Sequence, residues 1–138
     1  MSALFSTTVS VTGGREGKAT SADGRFTQVL SLPKELGGPG GDGTNPEQLF
    51  AAGYAACFHS AMKLVAKQRK ADVSDSTITA RVSIGALASG GYGLAVELDL
   101  HVPNVDRETA QALVEAAHQV CPYSNATRGN VEVTLAVV

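Results

Sequence analysis

Residues 45–62 of this 138-residue chain are NPEQLFAAGYAACFHSAM, and this stretch decides the fold. A helix should begin in it, because Asn45 or Thr44 is a suitable N-cap and Pro46 is a suitable first helical residue. Glu47 adds an acid to the first turn, where it complements the helix dipole. The stretch therefore predicts the start of a long helix.

The predicted helix should run to about Lys70, and from Gln48 to Met62 it carries no formal charge. A surface helix normally has a charged face, so this helix should be buried on most sides. The uncharged stretch is shorter than the roughly 18 residues of a membrane span, which favours a central helix of a folded domain. One small domain can scarcely cover such a helix, so we expect a partner subunit to help.

Strand patterns precede the helix. Apolar residues alternate with Ser and Thr over residues 5–12, and residues 15–21 and 25–32 form two further predicted strands joined by the turn Asp23-Gly24. We expect a three-stranded antiparallel meander. The glycine-rich segment 36–44 has no periodicity and is predicted to be a loop.

A hairpin, a second helix and a last strand should follow. Apolar residues alternate over 78–84 and 94–102, and again over 131–137. Asp106 is a predicted N-cap for a helix whose apolar stripe ends at Cys121, before Pro122. The predicted order is βββ-α-ββ-α-β without a parallel βαβ repeat, so the fold class is α+β.

Length and composition limit the functional classes. A chain of 138 residues that is 43% hydrophobic forms one domain, residues 1–138, with a real core. Net charge is −2 and no block of Lys or Arg occurs, which disfavours nucleic acid and anionic membranes as partners and leaves a small molecule or another protein. The first residues lack the pattern of a signal peptide, so we expect a cytoplasmic protein.

Two cysteines, Cys57 and Cys121, are the most informative residues. In a reducing compartment a disulfide is usually transient and catalytic or sensing, although each thiol could equally be an ordinary core residue. If folding brings the two together, one can react with a small oxidant and the other can close a disulfide. This arrangement suggests a two-cysteine thiol peroxidase.

Arg15 and Glu47 are ambiguous on sequence alone. On its predicted strand Arg15 shares a face with Gly17 and Ala19, and an inward guanidinium would need an anionic partner. A solvated arginine after a turn is the simpler interpretation. Glu47 in a first helical turn commonly serves only the dipole.

The segments GGPGGDGTNPEQLFAAGYAACF at 37–58 and VCPYSNATRGN at 120–130 closely resemble the organic hydroperoxide resistance (Ohr) branch of the Ohr/OsmC superfamily. The resemblance extends from about Phe5 to the C-terminus. It implies an intertwined homodimer with active sites at the subunit interface. It also implies reduction of organic hydroperoxides to alcohols in antioxidant defence.

The resemblance gives roles to four residues. Cys57 would be oxidised to a sulfenic acid, and Cys121 would condense with it to an intramolecular disulfide. Arg15 would activate the Cys57 thiolate, with Glu47 as its orienting partner through a bidentate fork. No cofactor is expected to be bound, and an external dithiol, a dihydrolipoyl group, would reduce the disulfide.

One geometric point stays open. Glu47 and Cys57 are 10 residues apart, which is about 15 Å of rise on one helix. Either Arg15 spans the gap between them, or the helix begins later than Glu47. Phe50, Tyr54, Phe58 and Met62 are available to line an apolar pocket for the substrate.

Three other functions compete. Cys57, His59, His118 and Cys121 invite a zinc site, but residues two apart on a helix face nearly opposite sides. The histidines, including His101 on a strand face, are more simply polar surface or interface residues. Gly38, Gly40 and Gly43 match GxGxxG but lack the parallel βαβ setting, so a flexible loop is the better interpretation. A thiol redox sensor or binding module with little peroxide turnover is the main alternative.

Overall fold

The computed structural model describes all residues, 1–138. The elements are β1 (Val9–Thr12), β2 (Lys18–Ser21), β3 (Thr27–Val29), α1 (Pro46–Arg69), β4 (Thr77–Ala86), β5 (Tyr92–His101), α2 (Arg107–Val120), α3 (Pro122–Thr127) and β6 (Glu132–Val137). Short 3₁₀ turns occur at Gly14–Glu16 and Lys34–Leu36. The predicted α+β class is confirmed. The chain divides into two compact units, residues 1–49 and 50–138.

The first unit contains the predicted antiparallel meander. β1 pairs with β2 and β2 pairs with β3, both antiparallel, and Gly24 has the positive φ of 74° that the turn between β2 and β3 requires. β3 is shorter than predicted, because after Val29 the chain leaves the ladder and Leu30 bridges Thr44 in the glycine-rich loop. The predicted meander therefore has the correct topology, but its outer strands were predicted longer than they are.

The prediction that Arg15 lies on a strand is wrong. Gly13 and Gly14 have φ values of 71° and 57°, and the Glu16 N–H donates to the Gly13 carbonyl at 3.2 Å. These bonds close one 3₁₀ turn, so the strand begins only at Lys18. The alternation of Arg15 with small residues imitates a strand face, but the two left-handed glycines turn the chain first.

The second unit contains a sheet in the order β4-β5-β6. β4 and β5 form the predicted antiparallel hairpin, with Val82 opposite Val96. β6 pairs with β5 in parallel, with Val96 opposite Val133, and α2 and α3 form the crossover between them. The expected absence of a parallel βαβ unit is therefore wrong, because alternation identifies a strand but not the direction in which it pairs.

α1 begins and ends close to the predicted bounds. Asn45 is its cap, since its side-chain oxygen accepts from the Gln48 N–H at 2.8 Å. One face of α1 lies in the core of the second unit, where its side chains meet those of the sheet and of α2; the fully buried ones on α1 include Tyr54, Phe58 and Met62. Within one chain the helix is buried on this face only.

The opposite face of α1 is an exposed stripe of uncharged residues, Ala52, Ala56, Ser60 and Leu64. By length and composition alone the helix could cross a membrane, with a mean hydropathy of 1.3 in an 18-residue window of which 33% is buried. The buried third of this window is the face that lies in the core. The expected cover of the stripe by a second subunit stays a prediction.

α2 begins as predicted, with Asp106 accepting from the Thr109 N–H at 2.8 Å. It ends at Val120, and Cys121 has extended backbone angles, φ −65° and ψ 123°. Pro122 then starts α3, a short helix that was not predicted. Cys121 thus lies at the junction of two helices, where it ends one and precedes the other.

Candidate active site

Cys57 and Cys121 both lie in the second unit, and both are free thiols. Cys57 lies in the middle of α1 and is half-buried, whereas Cys121 is fully buried, with 0% of its surface exposed. The two thiols are neighbours, since Cys121 acts on Cys57 both through its charge and through a side-chain hydrogen bond. A thiol open to small molecules therefore lies beside one that is closed to them.

Burial raises the pKa of the Cys57 thiol, because a thiolate loses hydration there. The backbone N–H of Tyr123 donates toward the sulfur and lowers the pKa, and the neighbouring Cys121 thiol raises it again. The net shift is upward. Cys57 is therefore mostly a neutral thiol near pH 7 unless a cation stabilises its ionised form.

The Tyr123 N–H is available to Cys57 because of where α3 begins. Pro122 occupies the first helical position and has no N–H, and the N–H groups of a first turn have no partner within their own helix. The segment Cys121-Pro122-Tyr123 thus presents both a thiol and a backbone donor to Cys57. On sequence alone, Pro122 predicts only the end of α2.

Aromatic rings surround this segment. Tyr123 lies 5.7 Å from Tyr54 and 6.2 Å from Phe50, measured between ring centroids. Gly53 lies under the Tyr123 ring, because a Cβ at this position would fall 2.8 Å from the hydroxyl oxygen and 3.2 Å from the ring carbon that carries it. A helical glycine is needed here for the ring to lie close to α1.

A cavity of 390 Å³ opens beside this cluster. Its walls are mainly apolar and come from α1, α3 and the following turn: Phe50, Pro122, Tyr123, Ala126, Thr127, Asn130 and Val131. Of the four residues proposed to line a pocket, only Phe50 does so here. Tyr54, Phe58 and Met62 are fully buried core residues, with 0% of their surface exposed.

Arg15 and Glu47 form the predicted bidentate pair in the first unit. Arg15 Nη1 donates to Glu47 Oε2 at 2.9 Å, and Nη2 donates to Oε1 at 2.7 Å. The guanidinium lowers the pKa of Glu47, chiefly through these hydrogen bonds, and the carboxylate raises the pKa of Arg15 in return. Arg15 is therefore not simply solvated, and Glu47 does more than complement a helix dipole.

The helix begins at Pro46, so the alternative that it starts after Glu47 is wrong. The roles of Arg15, Glu47, Cys57 and Cys121 in a reaction stay predictions. No sequence pattern predicts that the Tyr123 backbone N–H donates toward Cys57. Nor does any pattern point to the buried hydroxyls of Ser124 and Thr127 on α3.

The rings of His59 and His118 each lie within hydrogen-bond distance of a serine hydroxyl. His59 Nε2 lies 2.9 Å from Ser76 Oγ, and His118 Nδ1 lies 2.8 Å from Ser124 Oγ. Burial lowers the pKa of both, with Lys63 and Arg128 as the nearby cations. His101 is exposed, as predicted. The structure has no group of three or more His, Cys, Asp or Glu residues arranged to hold a metal.

Comparison with known proteins gives a consistent result. Residues 38–136 match the family of OsmC-like proteins. The chain is 57% identical over 133 residues to the organic hydroperoxide resistance protein of Xanthomonas axonopodis pv. citri, covering 96% of this chain and 93% of that one.

Solved structures agree in fold. The organic hydroperoxide resistance protein OsmC of Legionella pneumophila superposes with a TM-score of 0.94 at 49% identity, over 99% of this chain and 98% of that one. OhrB of Bacillus subtilis, another organic hydroperoxide resistance protein, gives 0.90 at 47% identity, over 99% and 100%. The predicted fold is confirmed over nearly the whole length of these relatives.

The Arg15–Glu47 pair predicts a pH-dependent contribution to stability. The pKa of Glu47 is lower in the folded protein than in the unfolded chain, so its charge stabilises the fold above the unfolded pKa of about 4.3 and ceases to do so as pH falls through the folded pKa. Glu47→Gln should therefore lower the free energy of unfolding at pH 7 by about 1 kcal/mol, since solvent screens a pair whose side chains are 34% and 15% exposed, and by less near pH 3.

Urea unfolding at several pH values measures this difference. Glu97→Gln is the matched control, because Glu97 pairs with Arg81 at 2.8 Å but both side chains are mostly exposed, at 51% and 72%. The control should change stability little at any pH. A Glu47→Gln effect that is the same at pH 3 and pH 7 would contradict the prediction.

Proposed function

The chain belongs to the OsmC-like family, and from its likeness to the organic hydroperoxide resistance proteins we propose that it reduces organic hydroperoxides to alcohols with its two thiols. The observation that carries the proposal is the half-buried Cys57 beside the buried Cys121. One sulfur is accessible to a small oxidant and the other is protected from it. This is the arrangement that a two-step thiol peroxidase needs.

In the first step the Cys57 thiolate attacks the terminal oxygen of ROOH. An S–O bond forms, the O–O bond breaks, and the departing alkoxide takes a proton to become the alcohol. Cys57 is oxidised by two electrons to a sulfenic acid. The apolar cavity beside Tyr123 is the proposed site for the R group, because burying apolar surface contributes about 25 cal/mol per Å².

In the second step Cys121 attacks the Cys57 sulfur. The S–S bond forms, the S–O bond breaks, and the oxygen leaves as water after taking a proton. Because Cys121 is already a neighbour, condensation can precede a second oxidation of Cys57. The disulfide then returns to two thiols by exchange with an external dithiol, for which we propose a dihydrolipoyl group.

The thiolate needs support that burial does not give. We propose Arg15 as the activating cation, as the family resemblance implies, with Glu47 fixing the orientation of its guanidinium through the bidentate fork. An arginine suits this role because it keeps its charge at every working pH and holds a planar geometry.

We also propose a homodimer in the cytoplasm. Exposed apolar residues in the first unit, such as Phe5, Val9 and Val11, and the uncharged stripe of α1 are surfaces that a second copy would cover. A reducing compartment keeps the two thiols available for the reaction.

Substrate choice is the first test. Mixed with the reduced protein in a stopped-flow instrument, cumene hydroperoxide should react at least about tenfold faster than hydrogen peroxide, because only the former has an apolar group to bury. Pre-alkylated protein is the control and should react with neither. Equal rates, or no reaction, would favour a thiol redox sensor with little turnover.

Substitution of the two cysteines should have different effects on the oxidation. Cys57→Ser should abolish reaction with the hydroperoxide, because the attacking sulfur is gone. Cys121→Ser should keep the first oxidation but accumulate sulfenic and then sulfinic acid at Cys57. Mass spectrometry of the oxidised proteins distinguishes these products. Loss of the first oxidation in Cys121→Ser, or an intermolecular disulfide as the main wild-type product, would show that the roles are wrong.

Arg15→Ala should raise the pKa of Cys57 and slow the peroxidase reaction, since the thiolate fraction at pH 7 falls about tenfold for each unit of pKa. Glu47→Ala should affect the pKa less and the rate more, because the charge stays while its orientation is lost. Alkylation of Cys57 against pH measures the first effect. Arg25→Ala is the control, since that side chain is 89% exposed; if Arg15→Ala behaves like it, Arg15 is not the activator.

A further inference from the structure

A buried chain of side-chain oxygens connects α1 to α3. The hydroxyl of Tyr54 lies 3.0 Å from Ser124 Oγ and 3.1 Å from Thr127 Oγ1. Ser124 Oγ in turn lies 2.8 Å from His118 Nδ1 on α2. Tyr54 and Ser124 are 0% exposed and Thr127 is 3% exposed, so water does not compete for these bonds. Neither the thiol chemistry nor the apolar core accounts for this network.

The direction of the bonds shows that Tyr54 is a donor. Thr127 Oγ1 donates its single proton to a backbone carbonyl of its own helix, that of Tyr123 at 3.0 Å or that of Ser124 at 3.2 Å. It therefore presents a lone pair to Tyr54. The Tyr54 O–H can be donated to Thr127 or to Ser124, and both acceptors lie on α3. A buried tyrosine hydroxyl is thus fully used to hold one short helix.

Apart from the packing of the Tyr123 ring against α1, α3 has little else that fixes it to that helix. It is 6 residues long, too short to be stable by itself, and it begins directly after Cys121. Tyr54 precedes Cys57 by 3 residues on α1, so it acts within one turn of the reactive sulfur. The same short helix supplies the Tyr123 N–H that faces Cys57.

We propose that the Tyr54 hydroxyl is a positioning group of the active site, which holds α3 so that the Cys121 sulfur and the Tyr123 N–H both face Cys57. This inference rests on the proposed function for its biological meaning. Disulfide closure tolerates little error in geometry, because the Cβ atoms must come within about 3.5–4.5 Å. Loosening α3 therefore affects closure before it affects the fold.

Tyr54→Phe tests the proposal, because it removes the hydroxyl and keeps the ring. The probe is diamide, an azo compound that takes two electrons and two protons from the two thiols as the S–S bond forms, without any hydroperoxide. Disulfide closure should be about tenfold slower in Tyr54→Phe than in the wild type, the effect expected of a lost buried hydrogen bond. Thermal unfolding checks that the fold is kept, and Tyr92→Phe, whose side chain is 77% exposed, is the matched control.

A second measurement separates positioning from general loosening. In a Cys121→Ser background, the pH midpoint of Cys57 alkylation should move upward on addition of Tyr54→Phe, because the Tyr123 N–H is less well aimed at the thiolate. Ser124→Ala should also slow disulfide closure, because it removes one partner of the Tyr54 hydroxyl. If Tyr54→Phe does not fold, Ser124→Ala tests the positioning role in its place.

Wild-type rates of closure in these variants, with an unchanged alkylation midpoint, would overturn the inference. Slowed closure in a protein that does not consume cumene hydroperoxide would instead leave the positioning role standing and reject the peroxidase.

Discussion

The half-burial of the Cys57 sulfur is the constraint on which the candidate site depends. It places the Cys57 thiol in an apolar surrounding and raises the pKa of that thiol, because a thiolate loses hydration there. The Tyr123 N–H lowers that pKa and the neighbouring Cys121 thiol raises it again, while an apolar cavity opens beside the Tyr123 ring. Cys121 itself is fully buried.

α3 and the cysteine directly before it supply most of the polar groups near Cys57. If α2 were longer, Cys121 would lie inside a regular helix, and the N–H groups of the following residues would be bonded to carbonyls of that same helix. The proline after Cys121 breaks that pattern and starts a new helix, so that a thiol, a first-turn donor and two buried hydroxyls lie within 7 residues. The thiol and the backbone donor both act on Cys57, and the two hydroxyls both lie within hydrogen-bond distance of the Tyr54 hydroxyl. The cost is a short helix that depends on side-chain bonds for its position.

Local signals in the sequence were sufficient for much of the fold. The uncharged run with its cap predicts α1, and alternation predicts the β4–β5 hairpin, because both are properties of neighbouring residues. The sequence does not predict the 3₁₀ turn at Arg15, because the spacing of Arg15, Gly17 and Ala19 at every second position looks like one face of a strand. α3 is too short to show a period, and the parallel pairing of β6 depends on contacts that no local pattern records. The roles of the two thiols came from the family resemblance, and the Tyr54 bonds join residues 70 or more positions apart. The one available signal was a tyrosine in an uncharged buried helix, whose hydroxyl must find a partner.

The Tyr123 ring forms one wall of the cavity, and its position depends on Gly53, a residue without a side chain. A methyl group there must displace the Tyr123 ring, whose hydroxyl oxygen would lie 2.8 Å from it. Glycine inside a helix costs about 1 kcal/mol relative to alanine, so drift toward alanine would be favoured by helix stability alone. Over evolutionary time positions 53 and 123 should therefore change together. A lineage could alter the breadth of this cavity through the pair without changing either Cys57 or Cys121.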